Sequence, residues 1–224
     1  DRGMALQLCA GRNFEQQPNP NGQIAAQCGH DECVCRYTSR LRGPVPRSMP
    51  PMKILLDDAD MDAQLSRTLV ALAAEACDLG EALATAGRVI EGDYDSWYSE
   101  WSATARAAQA AADRSAEGGH TVTARKAYLR ASEYWRQSFF FLRHDIADKR
   151  LQHAWRQHRL TFRSANPFLP FPTVATEIPF DGVTMTGYLV RASADNAPRP
   201  TVIAPCGYDS TAEAGYCATG YMAL

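Results

Sequence analysis

The chain has 224 residues, of which 46% are hydrophobic and 21% charged, enough for one sizeable or two modest globular domains. Its formal net charge of −2 argues against a nucleic-acid-binding protein, which usually carries a basic stripe. No apolar run approaches the ~18 residues of a membrane-spanning helix, and no signal-peptide pattern opens the chain. We therefore expect a globular protein with neither nucleic acid nor membrane as a partner.

Residues 1–56 form an irregular lead in the sequence. Two segments within it, NFEQQPNPNGQ and RGPVPRSMPPM, are rich in Pro, Gly and Asn, and no apolar period persists between them. Because the first residue is Asp1 and not Met, the lead is either native or read-through from upstream of a start at Met52. Seven cysteines, an odd number, without a secretory signal predict reduced thiols and a cytoplasmic location.

A cysteine–histidine cluster in this lead raises the question of a metal site. It consists of Cys28, His30, Cys33 and Cys35. Thiolates and imidazoles bind zinc well, but structural zinc sites normally pair ligands on two separated knuckles, and no second pair exists here. We expect no metal and no cofactor. A small zinc-binding regulator remains as an alternative, which stoichiometric zinc in the purified protein would support.

The segment 57–165 has helical periodicity and predicts a domain of about four helices. Apolar residues recur at intervals of 4, 3, 4, 3 and 4 from Leu65 to Leu83, which indicates one stripe on a first helix. Short oxygen-bearing side chains that would cap the second and third helices are Asp93, Asp95, Ser96, Thr121 and Thr123. A fourth helix is predicted over about 147–163. Four histidines along these helices are interpreted as surface residues: His120, His144, His153 and His158.

The second and third helices have well-defined apolar stripes. Their predicted buried residues are Trp97, Trp101, Ala105, Ala108 and Ala112, followed by Ala127, Tyr128, Ala131, Trp135, Phe139 and Leu142. The fourth helix carries Leu151, Trp155 and Phe162 in the same way. These stripes predict that the helices pack on one another around a shared core.

After Pro172 the apolar period changes from 3.6 to 2. TVATEIPF and VTMTGYLV predict two strands, and Asp181-Gly182 between them is a strong hairpin turn. TVIA at 201–204 predicts a third strand, of the fully apolar kind that is buried on both faces of a parallel sheet. Such a strand needs neighbours that this chain does not supply. We therefore expect 173–224 to be the truncated start of an α/β domain.

The turn PCGYDST at 205–211 is the candidate functional segment. A Gly-containing turn after a buried strand can supply a backbone N–H that stabilises an oxyanion. The alternative is an ordinary strand-to-helix turn, in which Asp209, Ser210 or Thr211 caps the following helix. The turn by itself does not distinguish the two.

Four segments in one order carry a resemblance to a known family. They are EGDYDSWYSEW, ARKAYLRASEYWRQSFFFL, IPFDGVTMTGYLVR and RPTVIAPCGYDSTAE. Together they resemble the α/β-hydrolases with an N-terminal helical cap, a group that includes 2,6-dihydropseudooxynicotine hydrolase, the FrsA-like esterases and the fungal polyketide-shortening hydrolases. The resemblance covers about residues 57–224. It implies an α/β fold with a helical cap over 57–165, followed by the first strands of the hydrolase sheet.

The activity that the resemblance implies is hydrolysis of an ester, amide or carbon–carbon bond in a small-molecule substrate by a serine nucleophile. The chain contains no Gly-x-Ser-x-Gly, and all five histidines precede the sheet, whereas the family places its catalytic histidine last. No triad can be carried over, so we expect the 224-residue chain alone to be inactive. The resemblance leaves open a homodimer of the full-length protein.

What can be carried over is the oxyanion turn, with Gly207 and Tyr208 as backbone donors. In this family the cap also shapes the substrate pocket, and its candidate lining residues here are Trp97, Tyr98, Trp101, Tyr134 and Trp135. The alternative for these aromatics is the helical core. Arg130 and Arg136 either meet a polar group of the substrate or are surface residues that are solvated or salt-bridged. A helical protein-interaction module without catalysis is the competing hypothesis for the whole chain.

Overall fold

Helices make up most of the described chain. The computed structural model describes residues 53–191, 193, 195, 197–207 and 209–218, which lie within one compact unit, Pro51–Leu224. The helices among them are α1 (Ala59–Val70), α2 (Leu79–Ala86), α3 (Tyr94–Glu117), α4 (Thr121–Phe139), α5 (Lys149–Ala165) and α6 (Ala212–Ala218). Three short 3₁₀ segments are Ala71–Ala74, Phe140–Leu142 and Asn166–Phe168. A hairpin of β1 (Val174–Phe180) and β2 (Val183–Leu189) completes the regular structure of the described residues.

The first predicted helix is in fact two, α1 and α2. The chain leaves the helical conformation at Glu75, which has a φ of 58°, and α2 begins after Asp78, whose side chain accepts from the Glu81 N–H. The Glu75 carboxylate forms ion pairs with Arg125 and Lys126 of α4. These contacts and the new cap replace the continuous helix that the apolar spacing predicts, and the described helical domain therefore has five helices before the hairpin.

The start of α3 follows local side-chain chemistry, whereas the start of α4 does not. Asp93 caps α3, as predicted, by accepting from the amides of Asp95 and Ser96. The prediction of Thr121 or Thr123 as the cap of α4 is wrong, because α4 starts directly after His120. The chain reverses at Gly119, which has a φ of 74°, and the backbone bonds of this turn already set the start of α4.

The core lies where α4 packs between α3 and α5. All residues of the predicted stripes on α3 and α4 are buried, which confirms both helices and the prediction of which face of each is buried. The five-residue stripe of α3 contains three alanines, and these small side chains allow the backbones of α3 and α4 to approach closely. On α5 the predicted stripe is only partly right, because Phe162 is buried but Trp155 remains 40% exposed.

The hairpin has the predicted two-residue turn. Asp181 and Gly182 both adopt positive φ, 45° and 76°, as a two-residue hairpin turn of type I′ requires. β1 and β2 pair antiparallel, with Ile178 opposite Met185 and Phe180 opposite Val183. The face that carries these apolar side chains is exposed, whereas Tyr188 on the other face packs against Phe162 of α5, with ring centroids 5.2 Å apart.

The predicted third strand at 201–204 is wrong for the described chain. These residues have no regular structure, and Val202 and Ile203 are 82% and 78% exposed. A strand is held by hydrogen bonds to its neighbours, and among the described residues β1 and β2 pair only with each other. The described structure is therefore mostly helical with two antiparallel strands, which is consistent with part of an α/β fold.

No helix in the described ranges is both long enough and apolar enough to cross a membrane.

Candidate active-site cleft

The turn at 207–211 lies against the helical domain. Within the turn, the Ser210 N–H donates to the carbonyl of Gly207 at 3.1 Å. The Asp209 carboxylate forms an ion pair with Arg67 of α1, and the hydrogen bond from this guanidinium lowers the pKa of Asp209. This ion pair attaches the turn to α1, since Arg67 lies 142 residues before Asp209 in the chain.

A buried histidine of α5 makes the second attachment. The Nδ1 atom of His158 lies 2.9 Å from the carbonyl oxygen of Ser132 in α4, and its Nε2 atom lies 2.7 Å from the hydroxyl of Thr211. Only 1% of His158 is exposed, so the prediction that it is a surface residue is wrong. His120, His144 and His153 are exposed, as predicted.

Glu213, in the first turn of α6, extends this buried cluster. One of its carboxylate oxygens accepts from the Tyr188 hydroxyl at 2.7 Å and from Arg159 Nε at 3.2 Å. The other lies 3.8 Å from His158 Nε2. Burial opposes ionisation of Glu213, but the pKa of Glu213 is nevertheless lowered, because His158, Tyr188 and Arg159 favour the carboxylate. The carboxylate therefore links β2, α5 and α6.

The titration of His158 predicts how stability depends on pH. Burial is the main cause that lowers the pKa of His158 below its ordinary value of 6.5; nearby Glu213 and Glu133 oppose this, and Arg136 adds to it. The unfolded state therefore binds the proton of His158 more tightly than the folded state does. The contribution of neutral His158 to stability is complete above pH 6.5 and is lost as the pH falls toward the lower pKa of the folded state.

Urea titrations at several pH values between 7.5 and 5 measure this effect as a change in the free energy of unfolding. We expect that free energy to fall as the pH is lowered, with a slope of at most about 1.4 kcal/mol per pH unit from His158 alone. His158→Gln is expected to remove the slope, whereas His153→Gln, on the exposed face of the same helix, should retain it. A slope that is unchanged in His158→Gln would contradict this assignment. Glu213 contributes only near and below pH 4.5, outside this window.

An open cleft of about 740 Å³ lies beside the turn, and Asp209, Ser210 and Thr211 form one of its sides. Its other side consists of aromatic and apolar residues from the start of α3, the end of α4, the 3₁₀ segment and loop that follow α4, and the first half of α5: Tyr94, Phe139, Phe140, Phe141, Ile146, Leu151 and Trp155. The rings are held against one another. Tyr94 and Phe141 stack with centroids 4.8 Å apart, and the Arg143 guanidinium lies 3.7 Å from the centroid of Phe140.

A buried ion pair lies at the margin of this cleft. Arg136 lines the cleft, and its Nε atom donates to Glu133 at 2.8 Å, with a second bond from its Nη2 atom. Burial opposes the charge of Arg136, but Glu133 raises the pKa of the guanidinium, so Arg136 stays charged. Arg136 is salt-bridged, as one of its two interpretations expects, but it is buried and not on the surface. Arg130, which is partly buried, pairs with Glu81.

The predicted lining residues are not at this cleft. Trp97, Trp101, Tyr134 and Trp135 are all fully buried in the helical core. Tyr98 is partly buried, with the Arg150 guanidinium 5.6 Å from its ring centroid. Contact of these five side chains with a substrate remains a prediction. Gly207 is described and exposed, whereas Tyr208 lies outside the described residues.

Sequence reasoning identified Arg136 as a residue that could meet the substrate, but it missed the aromatic wall of the cleft. The run Phe139–Phe141 at the end of α4 was available as a signal, because three consecutive rings cannot all face one core. The burial of His158 was indicated as well, because Ala154, His158 and Phe162 are spaced by four and share a helix face. The cysteine–histidine cluster at 28–35 lies outside the described residues, and within the described part of the chain no group of three or more such side chains could hold a metal.

Comparison with known proteins relates the chain to α/β-hydrolases. The relatives include the α/β-hydrolase xenA of Xenoacremonium sinensis, which is 33% identical over 159 residues, or 69% of this chain and 37% of the relative. The 20-hydroxy-prefusarin hydrolase FUS2 of Gibberella moniliformis is 36% identical over 146 residues, 63% of this chain and 35% of its own. The hydrolase acrC of Aspergillus aculeatus is 35% identical over 164 residues, which are 67% of this chain and 38% of acrC.

These similarities confirm the resemblance to α/β-hydrolases that the four sequence segments predict. No family model matches the chain. The chain spans somewhat more than a third of the length of the curated relatives that it matches.

Proposed function

We propose that this chain supplies the helical cap and the oxyanion side of the active site of a serine-type α/β-hydrolase. Residues 57–165 are the cap in this proposal, and 173–224 are the start of the hydrolase domain. The observation that carries the proposal is the cleft itself, where Asp209, Ser210 and Thr211, which directly follow the proposed donors in the chain, face a wall of aromatic rings. A cleft between a catalytic turn and an apolar wall is the usual form of a small-molecule site.

The chemical part of the proposal is stabilisation of negative charge by the turn. Hydrolysis of an ester, an amide or a carbon–carbon bond next to a carbonyl places negative charge on an oxygen atom. Fixed backbone N–H groups at that point are worth roughly 2.7–4 kcal/mol each. Gly207 and Tyr208 are the proposed donors. The exposure of Gly207 supports this role, since its backbone can be reached from outside the protein.

The cleft also favours one kind of substrate. Its wall offers ring faces and edges, with Arg136 and Arg143 at its margin. Such a surface suits an uncharged, ring-containing small molecule that carries one polar or carbonyl group. The same proposal includes a cytoplasmic location, which the three free cysteines of the described chain, Cys77, Cys206 and Cys217, support.

The nucleophile tests the proposal most directly. The source transcript should be sequenced beyond the codon for Leu224, and the encoded full-length protein assayed with p-nitrophenyl esters. We expect a Gly-x-Ser-x-Gly elbow within roughly a hundred residues, followed by an acid and a histidine. We also expect turnover by the full-length protein that is lost when the elbow serine is changed to alanine.

The second candidate is a helical protein-interaction module, which the exposed apolar face of the hairpin favours. An encoded protein that has no elbow and no esterase activity would contradict the hydrolase proposal and support this alternative.

Gly207 provides a prediction that separates catalysis from folding. A Cβ atom at this position would meet only the Asp209 carboxylate, at 3.7 Å, so the folded chain itself does not require glycine there. We expect Gly207→Ala in the full-length enzyme to lower kcat/KM at least tenfold, because the added methyl group occupies space that the substrate carbonyl must approach. The free energy of unfolding should remain within about 0.5 kcal/mol of the wild type.

The matched control is Gly182→Ala in the hairpin turn. Gly182 has a φ of 76°, so this variant should lose about 1 kcal/mol of stability while it retains its activity per folded molecule. Full activity of Gly207→Ala would contradict the role of Gly207.

A further inference from the structure

We infer that His158 is a positioning residue, which holds the turn at 207–211 against the cleft through a hydrogen bond to Thr211. In this arrangement the helical cap does more than cover a site, since it also determines where the turn lies. The tether is a property of the described chain. Its catalytic consequence rests on the proposed function.

The hydrogen-bond directions along the tether are determined by its two ends. The Nδ1 atom of His158 lies 2.9 Å from both the carbonyl oxygen and the hydroxyl of Ser132. The carbonyl can only accept, and the hydroxyl can donate to the His158 carbonyl oxygen at 2.9 Å, so we assign the ring proton to Nδ1. In the neutral ring, Nε2 is then an acceptor, and the Thr211 hydroxyl 2.7 Å away donates to it. The same hydroxyl oxygen accepts from the Ala214 N–H at 3.0 Å. One continuous chain of bonds therefore runs from α4 through α5 to the start of α6.

Burial favours this neutral form of His158, against the two carboxylates near the ring. Glu213 faces the ring from α6, Glu133 and Arg136 act on it from α4, and the edge of the Phe139 ring lies nearby, with centroids 6.2 Å apart. Glu213 is already engaged by Tyr188 and Arg159, and Glu133 by Arg136. The remaining function of the ring is to accept from Thr211.

The attachment of the turn through Arg67 is the weaker of the two. Arg67 and Asp209 form their ion pair with about two fifths of each side chain exposed, and ion pairs in that setting contribute little. The bond between His158 and Thr211 is buried on the histidine side, where the loss of a hydrogen-bond partner is costly. His158 is therefore the stronger restraint on the turn, and Arg67 the weaker one.

The tether itself is tested on the 224-residue chain without any assay of activity. We expect Thr211→Val and His158→Leu to accelerate amide hydrogen exchange at residues 209–214 at least tenfold. Thr211→Ser and His158→Gln, which retain a hydroxyl and an acceptor respectively, should stay within threefold of the wild type. ¹⁵N spectra of the wild type should show the His158 proton on Nδ1. His153→Leu on the same helix is the matched control and should leave the exchange unchanged.

The catalytic consequence is tested on the full-length enzyme. We expect Thr211→Val to lower kcat at least tenfold with KM within threefold, because the turn acts on charge that develops only in the transition state. Thr211→Ser should restore most of the activity.

Exchange within twofold of the wild type in His158→Leu, or a proton on Nε2, would overturn the tether, whereas Thr211→Val alone is not decisive because it also removes the hydrogen bond from the Ala214 N–H. Faster exchange with unchanged kcat would leave the tether intact and overturn its catalytic role. An absence of hydrolase activity in the wild-type enzyme would instead contradict the proposed function.

Discussion

Replacing Glu133 by alanine is expected to lower the free energy of unfolding by about 3–5 kcal/mol, because it leaves the buried charge of Arg136 without its partner. Both side chains are more than nine-tenths buried, and the guanidinium donates twice to the carboxylate. Thr68 of α1 contributes a further, longer hydrogen bond to Glu133, at 3.4 Å. The loss should appear in urea titrations as a lower midpoint with an unchanged slope.

Two further variants test whether burial of the ion pair causes the large stability loss expected for Glu133→Ala. Glu100→Ala breaks the ion pair between Glu100 and Arg88, in which Arg88 is half-exposed, and should cost no more than about 1 kcal/mol. The double variant Glu133→Leu with Arg136→Met removes both charges and should recover most of the stability. Equal costs for Glu133→Ala and Glu100→Ala would show that the Glu133–Arg136 pair is not buried in solution.

Trp97→Ala and Trp101→Ala are each expected to cost about 3–5 kcal/mol, because both indoles are fully buried between α3 and α4. Thermal or urea unfolding of the chain measures this directly. The result also bears on the sequence-based hypothesis that these tryptophans line the substrate pocket. A residue that lines an open pocket would change KM strongly and stability little, so a small stability loss would support the pocket hypothesis.

Phenylalanine substitutions refine the same test. The Trp97 indole N–H donates to the carbonyl of Gln137 at 2.8 Å, whereas the Trp101 indole N–H has no hydrogen-bond partner among the described residues. Trp97→Phe should therefore cost about 1 kcal/mol more than Trp101→Phe, in addition to a similar loss of packing. The opposite order would contradict the assigned hydrogen bond.

Features that depend on neighbouring residues could be predicted from the sequence. The hairpin turn at Asp181-Gly182 is determined by the conformational freedom of two adjacent residues, and the Asp93 cap by a carboxylate next to free amides. The stripes of α3 and α4 follow from a spacing that repeats over many turns. The resemblance to α/β-hydrolases likewise comes from local segments in a fixed order.

Features that depend on distant contacts could not be predicted in this way. The break at Glu75 is accompanied by its ion pairs with Arg125 and Lys126, some fifty residues later in the chain. The apolar segment at 201–204 does not form a strand, because the hydrogen bonds of a strand come from a neighbour. In both places the local pattern is compatible with the predicted helix or strand. Whether that element forms is decided by contacts with residues far away in the chain.

The candidate site divides along the same line. The sequence alone identified the turn around Gly207 as a candidate oxyanion segment, because a Gly-containing turn after an apolar run is a local signal. It did not identify the aromatic wall at Phe139–Phe141. It also did not identify the role of His158, which depends on a hydrogen bond to Thr211, 53 residues later in the chain. Local spacing determined which helices and turns form. Only the packing of α4, α5 and α6 decided which side chains meet at the cleft, since burial and hydrogen bonding between distant segments are set in three dimensions.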